Sequence, residues 1–171
     1  LRIFLCSKVI LVEGPSDELV VQKAFMKENN GNLPIQKGID VISVGLTFKR
    51  FLELATKLGK PIAVVTDNDG NYSQNITSKY EDYYDLQNVK IFADNRENLR
   101  TLEPQMVDAN KNQLPVLCTA IGIDSAMFDT EVKVNEYMIK HKTTWALKFF
   151  DSEAEVSYPA YIKSAIEWAN E

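Results

Sequence analysis

Three short runs of β-branched and other apolar residues most constrain how this chain can fold. They are Lys8–Glu13 (KVILVE), Asp40–Gly45 (DVISVG) and Ile62–Val65 (IAVV). Apolar stripes with helical spacing follow the first two runs, at 20–25 and 48–58. Strands that alternate with helices predict right-handed βαβ units and a mainly parallel sheet with helices on both faces. The third run contains no charge, which is typical of a strand buried on both faces. The sequence therefore predicts an α/β fold.

Local signals place the boundaries of the predicted elements. Ser16 is the predicted N-cap of the first helix, and Gly59 is expected in the left-handed position that ends the second. Val89–Ala93 is predicted as a fourth strand, and the residues before Lys8 as a further strand. In the second half, residues 95–113 are predicted as a polar loop. Helices are predicted at 114–122, 124–140, 142–150 and 158–170.

Composition limits the classes of protein to which the chain can belong. It has 171 residues, of which 45% are hydrophobic and 25% charged, as in soluble globular proteins. No apolar run approaches the ~20 residues of a membrane-spanning helix. Cys6 and Cys118 fit neither a disulfide framework nor a zinc site, so reduced thiols in a cytoplasmic protein are expected. The net charge of −5 opposes nucleic-acid binding through bulk electrostatics, so any such role needs metal ions or a partner domain.

Acidic residues follow two of the predicted strands. Glu13 ends the first, and Asp67 and Asp69 follow the third. The carboxyl ends of parallel strands meet at one edge of a sheet, and adjacent strands are only about 5 Å apart. On an extended segment, Asp67 and Asp69 would point the same way, and their mutual repulsion would require a cation. The segment Asp67–Asn71 (DNDGN) is also ordinary turn chemistry. Glu13 on the same edge favours the metal site.

Three further residues are candidates for this edge. Asp17 lies on the first turn of the predicted helix after Glu13, where it could reach the edge or simply interact with the helix dipole. Glu103 precedes a proline, which predicts an extended backbone that directs it toward the edge or leaves it in solvent. Lys142 lies at a predicted helix start, where a cation opposes the dipole. A functional role is one explanation for that lysine.

These motifs resemble a known family. V-E-G-P-S-D at the first strand and V-V-T-D-N-D-G at the third resemble the Toprim domain of topoisomerases, primases and related nucleases. Asp17, the Thr-x-Glu-Pro segment at Thr101 and Glu103, and K-x-x-x-A at Lys142 resemble the overcoming lysogenization defect (OLD) nucleases in particular. The resemblance implies a Toprim-like, Rossmann-like sheet flanked by helices. It implies one catalytic domain over residues 1–171, with a C-terminal helical elaboration at about 111–171.

The resemblance also implies a site with two divalent ions, Mg²⁺ or Mn²⁺. In this interpretation Glu13, Asp17 and Glu103, with Thr101 nearby, hold one ion. Asp67 and Asp69 hold the other, and Glu13 is shared. The implied catalytic residues are Glu13, Asp67, Asp69 and Lys142. The family usually has Glu where this chain has Asp17, so the shorter arm favours contact through water. Hard oxygen ligands suit these ions, and the absence of Cys/His clusters argues against zinc.

The implied function is a metal-dependent DNA endonuclease that hydrolyses phosphodiester bonds. Its expected partners are DNA, an ATPase domain earlier in the same full-length chain and further copies of the protein, and no membrane is expected. The chain does not begin with Met, which is expected of a fragment that lacks this ATPase domain. The G-x-x-x-x-G-K-[ST] phosphate loop is absent, so the chain itself is not expected to hydrolyse ATP.

Other readings of the motifs compete with the nuclease. Haloacid-dehalogenase-like phosphatases use Asp-x-Asp-Gly-Thr, but Asn71 replaces the threonine and the motif follows the third strand instead of the first. An EF-hand is excluded, because Ser78 occupies the position that requires Glu. A dinucleotide site lacks its glycines. A Toprim module that serves only docking or regulation is the remaining alternative, and retention of the acids and of Lys142 argues against it.

Overall fold

The computed structural model describes residues 2–171 and contains a four-stranded parallel sheet. Its strands are β1 (Lys8–Val12), β2 (Ile39–Ser43), β3 (Ile62–Val65) and β4 (Val89–Phe92), in the spatial order β2-β1-β3-β4. Leu11 of β1 pairs with Ile42 of β2 on one side and Val64 of β3 on the other. The two strands that end in acidic segments are therefore neighbours at the centre of the sheet.

Helices cover both faces of the sheet. They are α1 (Arg2–Leu5), α2 (Pro15–Glu28), α3 (Phe48–Leu58), α4 (Leu102–Ala109), α5 (Leu114–Ala120), α6 (Glu131–Lys140), α7 (Lys142–Asp151) and α8 (Ala160–Asn170). Short 3₁₀ turns occur at Pro34–Lys37, Glu81–Tyr83 and Lys111–Gln113, and a π-helix at Ser73–Ser78. The alternation of strands and helices confirms the predicted parallel α/β fold.

Successive residues of each central strand enter different hydrophobic cores. Ile10 and Val12 pack with α2, α4 to α8 on one face, whereas Val9 and Leu11 pack with α1, α3 and the π-helix on the other. β3 divides in the same way, and all four of its residues are buried. The uncharged sequence of β3 follows from this burial on two sides.

Two predicted boundaries in the first half are wrong. Residues 2–5 form α1 instead of a strand, and the Arg2 guanidinium fixes this helix to the Asp40 carboxylate at 2.6 and 2.9 Å. The N-cap of α2 is Gly14, not Ser16, because Pro15 occupies the first helical position, where its missing N–H costs nothing. The predicted left-handed end of α3 at Gly59 is confirmed, with φ +62°.

The second half departs from prediction in two places. Residues 95–113 are not all loop, because α4 begins at Leu102 and carries Pro104 within its first turn, where proline is tolerated. Residues 124–130 are not helical. α6 begins only after Thr130, whose side chain accepts a hydrogen bond from the Lys133 N–H at 3.4 Å. In residues 2–171 no helix is both long and apolar enough to cross a membrane.

Candidate metal centre

The acidic side chains converge at the carboxyl edge of the sheet, as the strand order requires. β1 and β3 pair directly, so the segments after them leave the sheet side by side. A cleft of about 210 Å³ lies there. Five of the seven predicted site residues line it: Glu13, Asp17, Asp67, Glu103 and Lys142. Asp69 and Thr101 do not line this cleft.

Asp67 is the most perturbed of these carboxylates. Its Oδ1 atom is buried and has no hydrogen-bond partner among the described residues. Burial raises the pKa of Asp67 from an ordinary 3.8 to about 8, and the nearby charges of Asp17 and Glu13 add to the effect. The ionised form of a carboxylate with such an orphaned oxygen is costly unless a cation binds it.

Asp17 serves both roles that were predicted for it. Its Oδ2 atom accepts a hydrogen bond from the Gly14 N–H at 3.0 Å, which is one of the two hydrogen bonds of a capping box, and it satisfies an unpaired backbone donor at the start of α2. Burial raises the pKa of Asp17 to about 6, the Gly14 N–H opposes this, and the charges of Glu13 and Glu103 reinforce it. Asp17 therefore begins the helix and also belongs to the cleft.

Glu103 and Lys142 form an ion pair across the cleft. The Lys142 Nζ atom lies 3.1 Å from Glu103 Oε1, and the Glu103 side chain is only 2% exposed. The Thr101 hydroxyl donates to Glu103 Oε2 at 2.8 Å. The expected extended backbone at Glu103 is wrong, because this residue lies in the first turn of α4. Its side chain reaches the edge because α4 begins there. The Glu103 carboxylate offsets the dipole cost of placing the Lys142 cation at the start of α7.

Lys142 is held in its charged form. Partial burial alone would lower the pKa of Lys142, but the Glu103 carboxylate, followed by Asp67 and Asp17, raises it overall. Four residues later, Ala146 is buried against the core, which accounts for a small residue at the end of the K-x-x-x-A segment. The charged lysine thus lies on the exposed first turn of α7, and the next turn of this helix packs on the hydrophobic core.

Asp69 differs from Asp67 in both conformation and exposure. Its backbone is left-handed, with φ +51°, and its side chain is exposed. The expectation that an extended backbone aligns the two aspartates is therefore wrong, because the turn chemistry of the segment is also present. Asp69 is still close enough to Glu13 to matter. Burial makes the largest contribution to the raised pKa of Glu13, and the Asp69 charge raises this pKa further.

Asn68 organises this turn and was not singled out by the sequence patterns. It is fully buried, and its Nδ2 atom lies 2.8–3.1 Å from the carbonyl oxygens of Asp94, Arg96 and Leu99. Its Oδ1 atom accepts from the Gly70 N–H at 2.7 Å. Asn68 therefore ties the turn between the aspartates to the loop after β4. An asparagine inside a turn motif gives no local signal of such burial.

The oxygen donors at this edge fit a hard divalent cation. In the part of the chain that the structure describes, no three His, Cys, Asp or Glu side chains form a ready-made metal group. In their present positions Asp17 accepts a hydrogen bond from Gly14, and Glu103 contacts Thr101 and Lys142. The orphaned oxygen of Asp67 and the raised pKa values of its neighbours are what a cation would relieve.

Comparisons with known proteins agree with the fold and with the resemblance seen in the sequence. Residues 4–69 match the model of the OLD-like TOPRIM domain family, described as overcoming lysogenization defect protein-like. This segment contains Glu13, Asp17, Asp67 and Asp69. OLD-like TOPRIM domains are nuclease-type catalytic domains, and Toprim domains in general bind divalent metal ions.

Solved structures extend the likeness in fold to nearly the whole chain. The C-terminal region of the Xanthomonas campestris pv. campestris OLD protein is 22% identical, with a TM-score of 0.64, and the match covers 98% of this chain and 93% of that one. The C-terminal region of the Burkholderia pseudomallei OLD protein is also 22% identical, with a TM-score of 0.64 and coverages of 96% and 97%. No curated protein matches the chain. Residues 4–69 are therefore similar to OLD-like TOPRIM domains, as the motifs predicted, and nearly the whole chain shares the α/β fold of the C-terminal region of OLD proteins.

Proposed function

We propose that this chain is a divalent-metal-dependent DNA endonuclease that hydrolyses phosphodiester bonds. The observation that carries the proposal is Asp67, whose buried and unpartnered Oδ1 atom lies among Glu13, Asp17 and Glu103 at the edge of the sheet. Such a group is stable in its ionised form only beside a cation. The nuclease-type family of the domain supports the same reaction class.

The residues of the edge divide into two sets of ligands for Mg²⁺ or Mn²⁺. Glu13, Asp17 and Glu103 would hold one ion, with the Thr101 hydroxyl beside them. Asp67 and Asp69 would hold the other, and Glu13 would be shared. When bound, such a pair of ions supplies Lewis-acid stabilisation to the attacking and leaving oxygens of a phosphodiester displacement.

Lys142 supplies a fixed positive charge to this reaction. Because its neighbours raise its pKa, the ammonium stays protonated at neutral pH and does not act as a general base. Its ion pair with Glu103 holds it over the carboxylates, where it can contact an oxygen of the scissile phosphate. Lys142 therefore stabilises charge that develops on the phosphate or on the leaving oxygen.

DNA is the proposed substrate, and its approach depends on cations. The net charge of −5 repels a phosphate backbone, so divalent ions or an ATPase domain of the full-length chain must offset this repulsion. The ATPase partner, a homo-oligomer and a cytoplasmic location stay predictions.

Nicking of supercoiled DNA in Mn²⁺ or Mg²⁺ tests the proposal. Wild type should nick, and Asp67→Asn, which preserves the shape of the side chain, should not. Asp85→Asn is the matched control, because Asp85 is exposed and precedes β4 at the opposite edge of the sheet.

Titration calorimetry should show that Asp67→Asn loses Mn²⁺ binding together with its activity. Wild type and Asp85→Asn should keep both. Two outcomes would redirect the proposal. Metal-dependent release of phosphate from p-nitrophenyl phosphate without nicking would indicate the phosphatase. Wild type that neither binds Mn²⁺ nor nicks would indicate a docking or regulatory module.

A further inference from the structure

Lys79 is a second cation near the acidic edge, and the sequence patterns did not single it out. It follows the π-helix and packs on the core that contains α3, whereas Lys142 lies on the helices of the other face. Within residues 2–171, Lys79 makes no ion pair with a carboxylate. Two charged lysines thus approach the edge from opposite faces of the sheet, and only one of them is paired.

Aromatic rings hold the Lys79 side chain in place. Its Nζ atom lies 5.6 Å from the centre of the Phe48 ring and 5.2 Å from that of Tyr80. Both rings are fully buried, so they are rigid partners for the ammonium. The π-helix before Lys79 is itself tied to the Asp67–Asp69 turn, because Asn75 Nδ2 donates to the Asn68 carbonyl at 2.9 Å.

These contacts also place Lys79 on the side of the sheet where α3 begins, close to the end of β1. Phe48 begins α3, and the loop before it lies against Glu13, whose carbonyl accepts from the Gly45 N–H at 3.0 Å. The positive charge of Lys79 acts on the Glu13 carboxylate and partly offsets the effect of burial and of Asp69 on its pKa. Lys79 therefore presents a positioned, partly exposed ammonium on the α3 side of the sheet, after a π-helix that is tied to the Asp67–Asp69 turn.

We propose that Lys79 binds a phosphate of the DNA strand next to the phosphate that is cleaved, a role that rests on the proposed nuclease function. A compact ammonium on a flexible stem suits a phosphate oxygen as a point-charge contact. Because no carboxylate of residues 2–171 forms an ion pair with Lys79, its ammonium can contact the substrate. Lys142 faces the reacting group, and Lys79 fixes the register of the strand beside it.

Binding of DNA without cleavage tests this role. The probe is a short fluorescein-labelled DNA duplex, followed by anisotropy in CaCl₂ at several KCl concentrations. Lys79→Met removes the charge but keeps a side chain that packs on both rings, and Lys79→Arg should preserve binding. Lys57→Met is the control, because Lys57 is exposed on the last turn of α3, at the other end of the helix that Phe48 begins.

Lys79→Met should weaken binding roughly 3- to 10-fold and lower the slope of log K against log[salt] by about 1, whatever the DNA sequence. In nicking assays with Mn²⁺, it should raise KM and leave kcat nearly unchanged. Unchanged affinity and slope in Lys79→Met, or an equal loss of affinity in Lys57→Met, would overturn the role of Lys79. If wild type still nicks DNA in that case, the proposed nuclease function stands. If wild type neither binds Mn²⁺ nor nicks, the proposed function fails, and this role fails with it.

Discussion

The strand-end segments and the later helices contribute to the acidic edge in different ways. Glu13 and Asp67 reach it because two neighbouring parallel strands end there, so their position follows from the topology of the sheet. Glu103 and Lys142 reach it only because α4 and α7 pack beside the sheet and meet in an ion pair. Variants of the first pair therefore test the part of the site that the sheet positions. Variants of the second pair test the part that depends on how α4 and α7 pack.

Removal of the Lys142 charge should give the largest effect and separates the two contributions. Lys142→Met should reduce nicking by about 10²- to 10³-fold, because a fixed charge near a reacting phosphate is lost. Mn²⁺ binding should persist, since the carboxylates that would bind it are intact. The control is Lys163→Met on the exposed face of α8. Loss of Mn²⁺ binding together with activity would show that Lys142 supports the fold of the site and not the reaction.

The next largest effect is expected from Asn68, which links the strand-end turn to the loop before α4. Asn68→Ala leaves several buried backbone groups without partners, so it should lower the free energy of unfolding by about 2–3 kcal/mol. Urea unfolding measures this loss. Asn95→Ala, at an exposed position in the same loop, should cost little. Equal losses in both variants would contradict the role assigned to Asn68.

The strand-end contribution could be predicted from sequence because its signals are local. An uncharged run marks β3, and parallel strands bring Glu13 and Asp67 to one edge. The left-handed backbone at Asp69 could not be predicted, because Asp tolerates both the extended and the left-handed region. Asn68 was missed because its partners lie in the loop after β4, far along the chain.

The residues that the helices contribute to the site were predicted from the sequence, but the local structure that positions them was not. Glu103 was expected on an extended segment, because the residue before a proline is often extended. Pro104 instead lies in the first turn of α4, where a helix tolerates proline. Thr101 was expected to lie near an ion, and in the structure its hydroxyl contacts Glu103. The ion pair of Lys142 depends on tertiary packing, which leaves no periodic trace in the sequence.

The central claim is that the acidic edge is a metal site, and the pH dependence of stability tests it. Folding raises the pKa of Asp67 from 3.8 to about 8, so the folded protein binds a proton that the unfolded chain releases in this range. The stability due to that proton is fully present below pH 4 and is lost as the pH rises through 8. In EDTA at pH 8, Asp67→Asn should therefore be more stable than wild type.

Thermal unfolding of wild type, Asp67→Asn and the control Asp85→Asn, in EDTA and then in Mn²⁺, is the most direct measurement. In EDTA at pH 8, Asp67→Asn should gain on the order of 2 kcal/mol, or roughly 4–8 °C in Tm. Mn²⁺ should stabilise wild type and Asp85→Asn far more than Asp67→Asn, because only an intact site gains stability from ligand binding. Wild type should therefore become more stable than Asp67→Asn in Mn²⁺, the reverse of the order in EDTA. Asp67→Asn that is less stable than wild type in EDTA, or that gains as much from Mn²⁺, would contradict the metal site.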